Sequence, residues 1–246
     1  MSEDKIVSHA KVGIIGGGIM GVSLLYHLAK EGWKDLVLLE KGELTSGSTW
    51  HAAGQCPQMM GSYNLAKIHK ESNNLYKKLE KETEQPTGFH ECGSLRIAYK
   101  KEDLDWFKYV KGILDNIGAP SEIISTNEIR KVHPFIKLDG ILGAFHTPDD
   151  GHTDPTSTTN AMAKGARNYG AKIYRKNRVT DIKHLSSGEW KLITEKGDII
   201  CEHVVNAAGS YGPEVGAMVG LKNIPSINMI HHYLVTDAHP SIAKLE

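Results

Sequence analysis

The 246-residue chain has no excess of either charge: 29 Lys and Arg face 29 Asp and Glu, so the formal net charge is zero. A nucleic-acid-binding surface normally shows as a basic surplus or stripe. The basic pairs present, Lys77-Lys78 and Lys100-Lys101, stand among acids and read as solvated helix faces. Nucleic acid is therefore not an expected partner. Cysteine is scarce. Cys56, Cys92 and Cys201 are odd in number, far apart and without a CxxC pair, so neither a metal site nor a disulfide framework is expected. No apolar run approaches the ~18 residues that span a bilayer. Met1 to Ala10 is polar and resembles neither a secretory signal nor an Arg-rich transit peptide. These absences place the expected protein in the cytoplasm, off the membrane, with a small molecule as its partner.

Glycine is what the chain has in quantity. There are 25, against about 17 expected at roughly 7%. They cluster in a few tight segments, the pattern of backbone brought close to a ligand.

The first cluster has a defined context. Lys11 to Ile15 reads as a buried strand, Gly16-Gly17-Gly18-Ile19-Met20-Gly21 follows at once, and the spacing of Val22, Leu24, Leu25, Leu28 and Ala29 predicts a helix that stops at Gly32. Leu36 to Leu39 is the next strand, closed by Glu40, 19 residues after Gly21. This is a β-α-β unit carrying the dinucleotide fingerprint GxGxxG and its acid. Gly16 permits the tight turn, Gly18 lets backbone approach a pyrophosphate, and Gly21 lets helix pack on sheet. The helix N-terminus offers free N–H groups to phosphate. Glu40 is expected to accept hydrogen bonds from the adenosine ribose, and its charge disfavours a 2′-phosphate.

Further on, Thr45 to Gly61 reads as a long polar loop. Tyr63 to Glu84 is amphipathic, with Leu65, Ile68, Ser72, Leu75, Tyr76 and Leu79 on one face. Leu95, Ile97 and Tyr99 alternate as in a half-buried strand. Helices are expected over 102–117, 127–132 and from Pro155 to Gly170, the last capped by Asp154. Strands are expected at 141–145, 172–174, 179–183, 190–194, 199–201, 204–205 and 231–236, and a helix at 213–219. The run of short strands from Lys172 to Cys201 is unlike the regular alternation of a nicotinamide domain and favours FAD. Val204-Val205-Asn206-Ala207-Ala208-Gly209, a strand ending in small residues, is expected to bring backbone to the dinucleotide a second time.

The segment Gly47-Ser48-Thr49-Trp50-His51-Ala52-Ala53-Gly54 resembles the flavin-attachment motif of the dimethylglycine dehydrogenase family, which includes sarcosine dehydrogenase and dimethylglycine oxidase. Lys11 to Gly21, Glu40-Lys41, Gly88-Phe89-His90, Asp150-Gly151-His152 with Asp154-Pro155, and Val204 to Gly209 resemble that family in the same order. The resemblance implies an α/β fold: a Rossmann-like FAD-binding domain (1–62 and 150–222) interleaved with an α+β substrate domain (63–149 and 223–246), incomplete at the C-terminus. It implies FAD bound covalently through His51. It also implies flavin contacts from Gly16 to Gly21, Glu40-Lys41, Gly47 to Gln55, Val179, Ala208, Gly209 and Tyr211. Tyr211 departs from the family, where Trp is usual. His231, in Met229-Ile230-His231-His232-Tyr233, takes the substrate-side catalytic role by the same resemblance.

The implied reaction is oxidative N-demethylation of a small N-methylated amino acid, N,N-dimethylglycine to sarcosine first, by hydride transfer to flavin N5. The acceptor of the electrons is an electron-transfer flavoprotein or oxygen. Tetrahydrofolate belongs to a C-terminal region of the family that these 246 residues do not include, so the chain is expected to be a fragment that folds or holds flavin poorly by itself. Alternatives are an oxidoreductase of sarcosine or another amine, a nicotinamide-dependent dehydrogenase, and a non-catalytic flavin-binding module.

Overall fold

Leu36, Val37, Leu38 and Leu39 are all at most 2% exposed. Successive strand residues point to opposite faces, so four buried in a row mean a strand covered on both sides. That strand organises the computed structural model, which describes residues 5–238 and 240–241. In chain order the elements are β1 (His9–Ile15), α1 (Ile19–Lys30), β2 (Leu36–Leu39), a 3-10 turn (Ser48–His51), β3 (Gln55–Cys56), α2 (Tyr63–Thr83), β4 (Ser94–Ala98), α3 (Lys101–Ile117), β5 (Glu122–Ile124), α4 (Thr126–Val132), β6 (Gly143–Thr147), β7 (Gly151–His152), α5 (Pro155–Asn168), β8 (Lys172–Tyr174), β9 (Val179–His184), β10 (Trp190–Thr194), β11 (Ile199–Asn206), a second 3-10 turn (Gly209–Tyr211) and α6 (Gly212–Ala217).

The main sheet has the order β8-β2-β1-β11-β10-β9. Strands β8, β2, β1 and β11 are parallel, while β10 and β9 are antiparallel. On one face Val12, Ile14, Leu36 and Leu38 pack with Val22, Leu25 and Tyr26 of α1, Leu79 of α2 and Met162 of α5. On the other, Ile15, Val37 and Leu39 pack with Val179, Ile182, Leu192 and Cys201. A second, antiparallel sheet has the order β4-β6-β5. Phe107, Val110 and Leu114 of α3 cover it with Phe145, and Ile129 of α4 packs with Ile124 and Ala144. A short ribbon, β3 with β7, joins the two regions and is extended by a bridge between His90 and His152. The α5 start is built as its sequence indicates: Asp154 Oδ1 accepts the Ser157 N–H at 2.6 Å and Pro155 occupies the first turn.

Several sequence expectations need correction. The predicted strands 199–201 and 204–205 are one strand, because β11 hydrogen-bonds to β1 along its length, from Ile200 opposite His9 to Asn206 opposite Ile15. Exposed Glu202 and His203 interrupt only the apolar pattern. The buried residues of α2 are Ala66, Asn73, Leu79 and Thr83, whereas Leu65 and Ile68 are exposed. That helix serves two cores, Ala66 beneath α3 and Leu79 against α1 and α5, so no single stripe describes it. Tyr99 lies beyond β4 and is exposed. The loop 45–61 contains the first 3-10 turn and β3. The predicted strand 231–236 is absent: residues 221–238 form no helix or strand. Their alternating sequence suits a strand, but a strand needs a hydrogen-bonding neighbour, and the described residues provide none there. Part of the expected segment 223–246, residue 239 and residues 242–246, lies outside the described residues. Among the described residues no helix is long and apolar enough to cross a membrane.

Candidate flavin site

The carboxyl ends of β1, β2 and β11 meet the amino end of α1, the position at which open α/β sheets take ligands. Gly16 leaves β1 with φ +118°. A side chain there would strike the Ala207 carbonyl oxygen, and one at Gly21 would strike the carbonyl oxygen of Gly16. At Gly17 it would meet Leu44 Cδ2 at 2.7 Å and Glu40 Cβ at 2.9 Å. These three glycines let the turn, β2 and β11 close on one another. The Gly18 position opens outward and has only Thr49 Oγ1 near it, at 3.0 Å.

Gly18 caps α1 with no side chain, and the first turn holds no acid. The positive end of the helix is thus left for an external anion. The Ile19 N–H donates to Thr49 Oγ1 at 3.1 Å. Glu40 is buried, and its carboxylate accepts the N–H of Gly17 at 2.6 Å and that of Gly42 at 2.7 Å. Each oxygen therefore already carries one amide and keeps a second lone pair for a ribose hydroxyl.

A cleft runs from this turn over Leu39, Val179, Ala208 and Val215, with Lys41, Arg178, Tyr211 and Glu214 at its edge. Val179 begins β9 and is buried in the cleft floor. The Ala207 N–H donates to the Ile15 carbonyl at 2.9 Å, so the 204–209 segment does return to the fingerprint turn. Gly209 and Tyr211 bound the second 3-10 turn, and Lys41 Nζ stands 3.0 Å from the Tyr211 ring centroid. Arg178 and Glu214, 3.9 Å apart, were not legible as site residues. The only signal was the adjacency of Arg178 to Val179.

Gly47 to Gln55 passes the amino end of α1, where Thr49 accepts from Ile19. Thr49 and Gly54 are half-buried, and Gly47, Ser48, Trp50, His51, Ala52, Ala53 and Gln55 are exposed. Gly54, at φ +73°, accepts the Thr153 N–H at its carbonyl oxygen at 2.9 Å, and Gln55 pairs with His152. His51 Nδ1 is 3.1 Å from the Gly47 carbonyl oxygen, so Nδ1 donates, and in the neutral ring the lone pair lies on Nε2. Its ring lies 3.8 Å from that of Trp50, centroid to centroid. Met20 in the first turn of α1, Trp50 beside His51 and Tyr211 at the cleft edge are 75%, 54% and 43% exposed, apolar surface of the kind a large planar ligand covers. His231, by contrast, is exposed within 221–238 and shares no hydrogen bond or ring contact with these residues.

Beneath the ribbon sits Asp150, 1% exposed. Its carboxylate accepts the Gln58 N–H at 2.8 Å, Gln58 Nε2 at 3.3 Å and the Ser94 hydroxyl at 2.6 Å. Burial pushes its pKa above the usual carboxylate range, and the Ser94 and Gln58 hydrogen bonds oppose that rise only in part. Asp150 thereby ties the loop after β3 to β4. Among the described residues no group of three or more His, Cys, Asp or Glu is placed to hold a metal ion.

The family model for FAD-dependent oxidoreductases of the DAO type matches residues 11–245. The chain belongs to this family. It is 45% identical over 237 residues to mitochondrial dimethylglycine dehydrogenase of Rattus norvegicus, covering 96% of this chain and 28% of the relative. It is 35% identical to mitochondrial sarcosine dehydrogenase of Homo sapiens, covering 97% of this chain and 26% of that one. The crystal structure of L-proline dehydrogenase from P. horikoshii superimposes with a TM-score of 0.81 at 29% identity, covering 89% of this chain and 58% of that one. The chain thus spans a little over a quarter of the length of the curated relatives it matches. FAD is the dinucleotide of the family, and the cradle fits it: open first-turn amides at a pyrophosphate position, a carboxylate with free lone pairs at a ribose position, and exposed aromatic surface beyond.

Proposed function

We propose that the protein containing this chain oxidises an N-methyl group of a small N-methylated amino acid, with N,N-dimethylglycine as the first candidate, and that its FAD is bonded to His51. The observation that carries this is the state of His51. Its Nδ1 is committed to the Gly47 carbonyl at 3.1 Å, so the exposed imidazole presents Nε2 as a nucleophile beside the dinucleotide cradle. The 45% identity to a dimethylglycine dehydrogenase supports the substrate class. When bound, FAD supplies the hydride acceptor for an N-methyl carbon whose amine is unprotonated. The chain's own part is to hold the pyrophosphate at α1, to orient the adenosine through Glu40 and Val179, and to keep the isoalloxazine from leaving. His231 takes the substrate-side role in this proposal, since an imidazole there can hydrogen-bond the amine or take up its proton. The electrons pass on to an electron-transfer flavoprotein or to oxygen, and tetrahydrofolate is met by a C-terminal region of the longer protein.

The test is made on the full-length protein. Flavin fluorescence is expected to stay with the denatured polypeptide and to be lost in His51→Ala. N,N-dimethylglycine is expected to bleach the visible flavin band faster than sarcosine. Flavin released by denaturation would remove the covalent link, and a flavin that stays oxidised with both amines would remove the proposed activity.

A further inference from the structure

Among the described residues, the loop from Gly47 to Gln55 is hydrogen-bonded to the dinucleotide helix through Thr49. The Thr49 hydroxyl oxygen accepts the N–H of Ile19, the first residue of α1, at 3.1 Å. It is also the atom that any side chain at Gly18 would meet, at 3.0 Å. Thr49 belongs to the same 3-10 turn as His51, which closes when Ala52 N–H donates to the Thr49 carbonyl at 3.2 Å. The turn is short and internally bonded, so fixing Thr49 fixes His51 two residues on. A second, longer contact, 3.5 Å between Ser48 Oγ and Ser210 Oγ, ties the turn to the second 3-10 turn.

We infer that Thr49 is a positioning residue for flavin attachment, a deduction that rests on the proposed bond between His51 and FAD. One hydroxyl does two things at once. It accepts from α1, and its own proton remains free to donate to an oxygen of the pyrophosphate that the same helix end attracts. The phosphate end of the cofactor and the imidazole are thereby referenced to a single atom, which sets where Nε2 stands along the bound molecule. Gly18 gains a second reason to be glycine: a methyl group there presses on Thr49 Oγ1 and displaces the turn.

Attachment is a two-electron oxidation. A bond forms between His51 Nε2 and the 8α carbon, which loses one hydrogen, and the imidazole releases its Nδ1 proton from the Gly47 carbonyl. The two protons and two electrons leave with dioxygen as hydrogen peroxide. Thr49 takes no part in that bond change. It holds the geometry in which the change occurs, and an error of about 1 Å in such geometry costs on the order of 100-fold in rate.

The experiment uses the full-length protein produced as apoprotein in riboflavin-starved cells and then supplied with FAD. Thr49→Val keeps the shape and removes the hydroxyl, Thr49→Ala removes it without adding a methyl, and Thr49→Ser restores it. Noncovalent FAD affinity is measured in the His51→Ala background. The first-order attachment rate at saturating FAD is read from fluorescence retained after denaturation. The expected result is a first-order attachment rate, at saturating FAD, slowed about tenfold or more in Thr49→Val and Thr49→Ala, with noncovalent FAD affinity also lowered by the lost phosphate hydrogen bond, and both recovered in Thr49→Ser. An attachment rate at saturating FAD that is unchanged in the valine and alanine variants, or tighter FAD binding in the valine variant, would overturn the role of Thr49 while leaving the link to His51 intact. Wild-type protein without covalent flavin would overturn both.

Discussion

The phenol of Tyr26 donates to Glu82 Oε1 across 2.6 Å, joining the dinucleotide helix α1 to α2. Tyr169, just after α5, donates to the same oxygen at 2.9 Å, and Lys30 reaches Oε2 at 2.8 Å. One carboxylate therefore fastens three helices on the face of the sheet behind the flavin cradle. Gly165 of α5 makes the approach possible, since a side chain there would lie 2.7 Å from the Tyr26 ring.

This arrangement predicts a pH window. Burial by itself would raise the Glu82 pKa, but the hydrogen bonds from Lys30, Tyr26 and Tyr169 outweigh it and hold the carboxyl below its usual range. A depressed folded-state pKa means stabilisation that is full above about 4.3 and is lost as pH falls through the folded value. Tyr26 is pushed up to about 12, by burial first and Glu82 second. Its contribution is full below about 10 and is lost as pH rises toward about 12. Glu82→Gln is expected to cost about 1–2 kcal/mol at neutral pH, to flatten the acid slope and to shrink the alkaline one. Urea midpoints measured across pH would show this, and parallel curves for both proteins would refute it.

Asp150 gives a slope of the opposite sign. Its pKa is raised in the fold, chiefly by burial. Its contribution is therefore greatest below about 3.9 and declines as pH rises through the folded value. Asp150→Asn can still accept from Gln58 and bond Ser94, so it should stay within about 1 kcal/mol of wild type at neutral pH and lose that slope. Asp150→Ala orphans the buried Gln58 and Ser94 donors and should cost about 2–3 kcal/mol. Equal destabilisation by the two substitutions would show that Asp150 acts as a charge rather than as an acceptor.

Gly21→Ala sets two effects against each other. Alanine in a helix gains about 1 kcal/mol over glycine. Here its Cβ would land on the carbonyl oxygen of Gly16, and overpacking of that kind costs about 1–3 kcal/mol. The clash should win, and because Gly16 shapes the pyrophosphate turn, FAD affinity should fall by more than about tenfold, the larger part of 1.4 kcal/mol or more appearing as lost binding. Equilibrium dialysis with FAD in the His51→Ala background, beside a thermal melt, separates the two losses.

Lys41 over Tyr211 gives a milder expectation. Both residues are exposed at the cleft edge, and an exposed cation–π pair contributes about 0.5–1 kcal/mol. Tyr211→Leu should weaken FAD binding by about two- to fivefold, whereas Tyr211→Trp, which keeps an aromatic face, should bind as wild type does. Identical affinities for the leucine and tryptophan variants would exclude an aromatic contact.

Local chemistry made much of this legible in advance. The β1–α1–β2 unit follows from an apolar run, a glycine turn and a helical repeat that are contiguous, and the α5 start follows from Asp154 and Pro155. The continuity of β11, the ribbon of β3 with β7, and the three-residue β5 were not legible, because pairing between distant strands leaves no mark in a window of sequence. The His231 segment is the reverse case. Its alternation is plain, yet residues 221–238 form no strand, since alternation states a preference and only a neighbour can satisfy it.

By itself, then, the sequence determined the dinucleotide turn, the family and the short list of residues from Gly47 to Gln55, because each depends on residues adjacent in the chain. The tertiary structure decided which atoms of that list meet. It put Thr49 on the amino end of α1, gave the Glu40 carboxylate to the amides of Gly17 and Gly42, and turned Nδ1 of His51 to the Gly47 carbonyl. Those choices are set by the closure of loops onto a sheet buried on both faces, where hydrogen-bond partners are fixed by packing rather than by position in the chain.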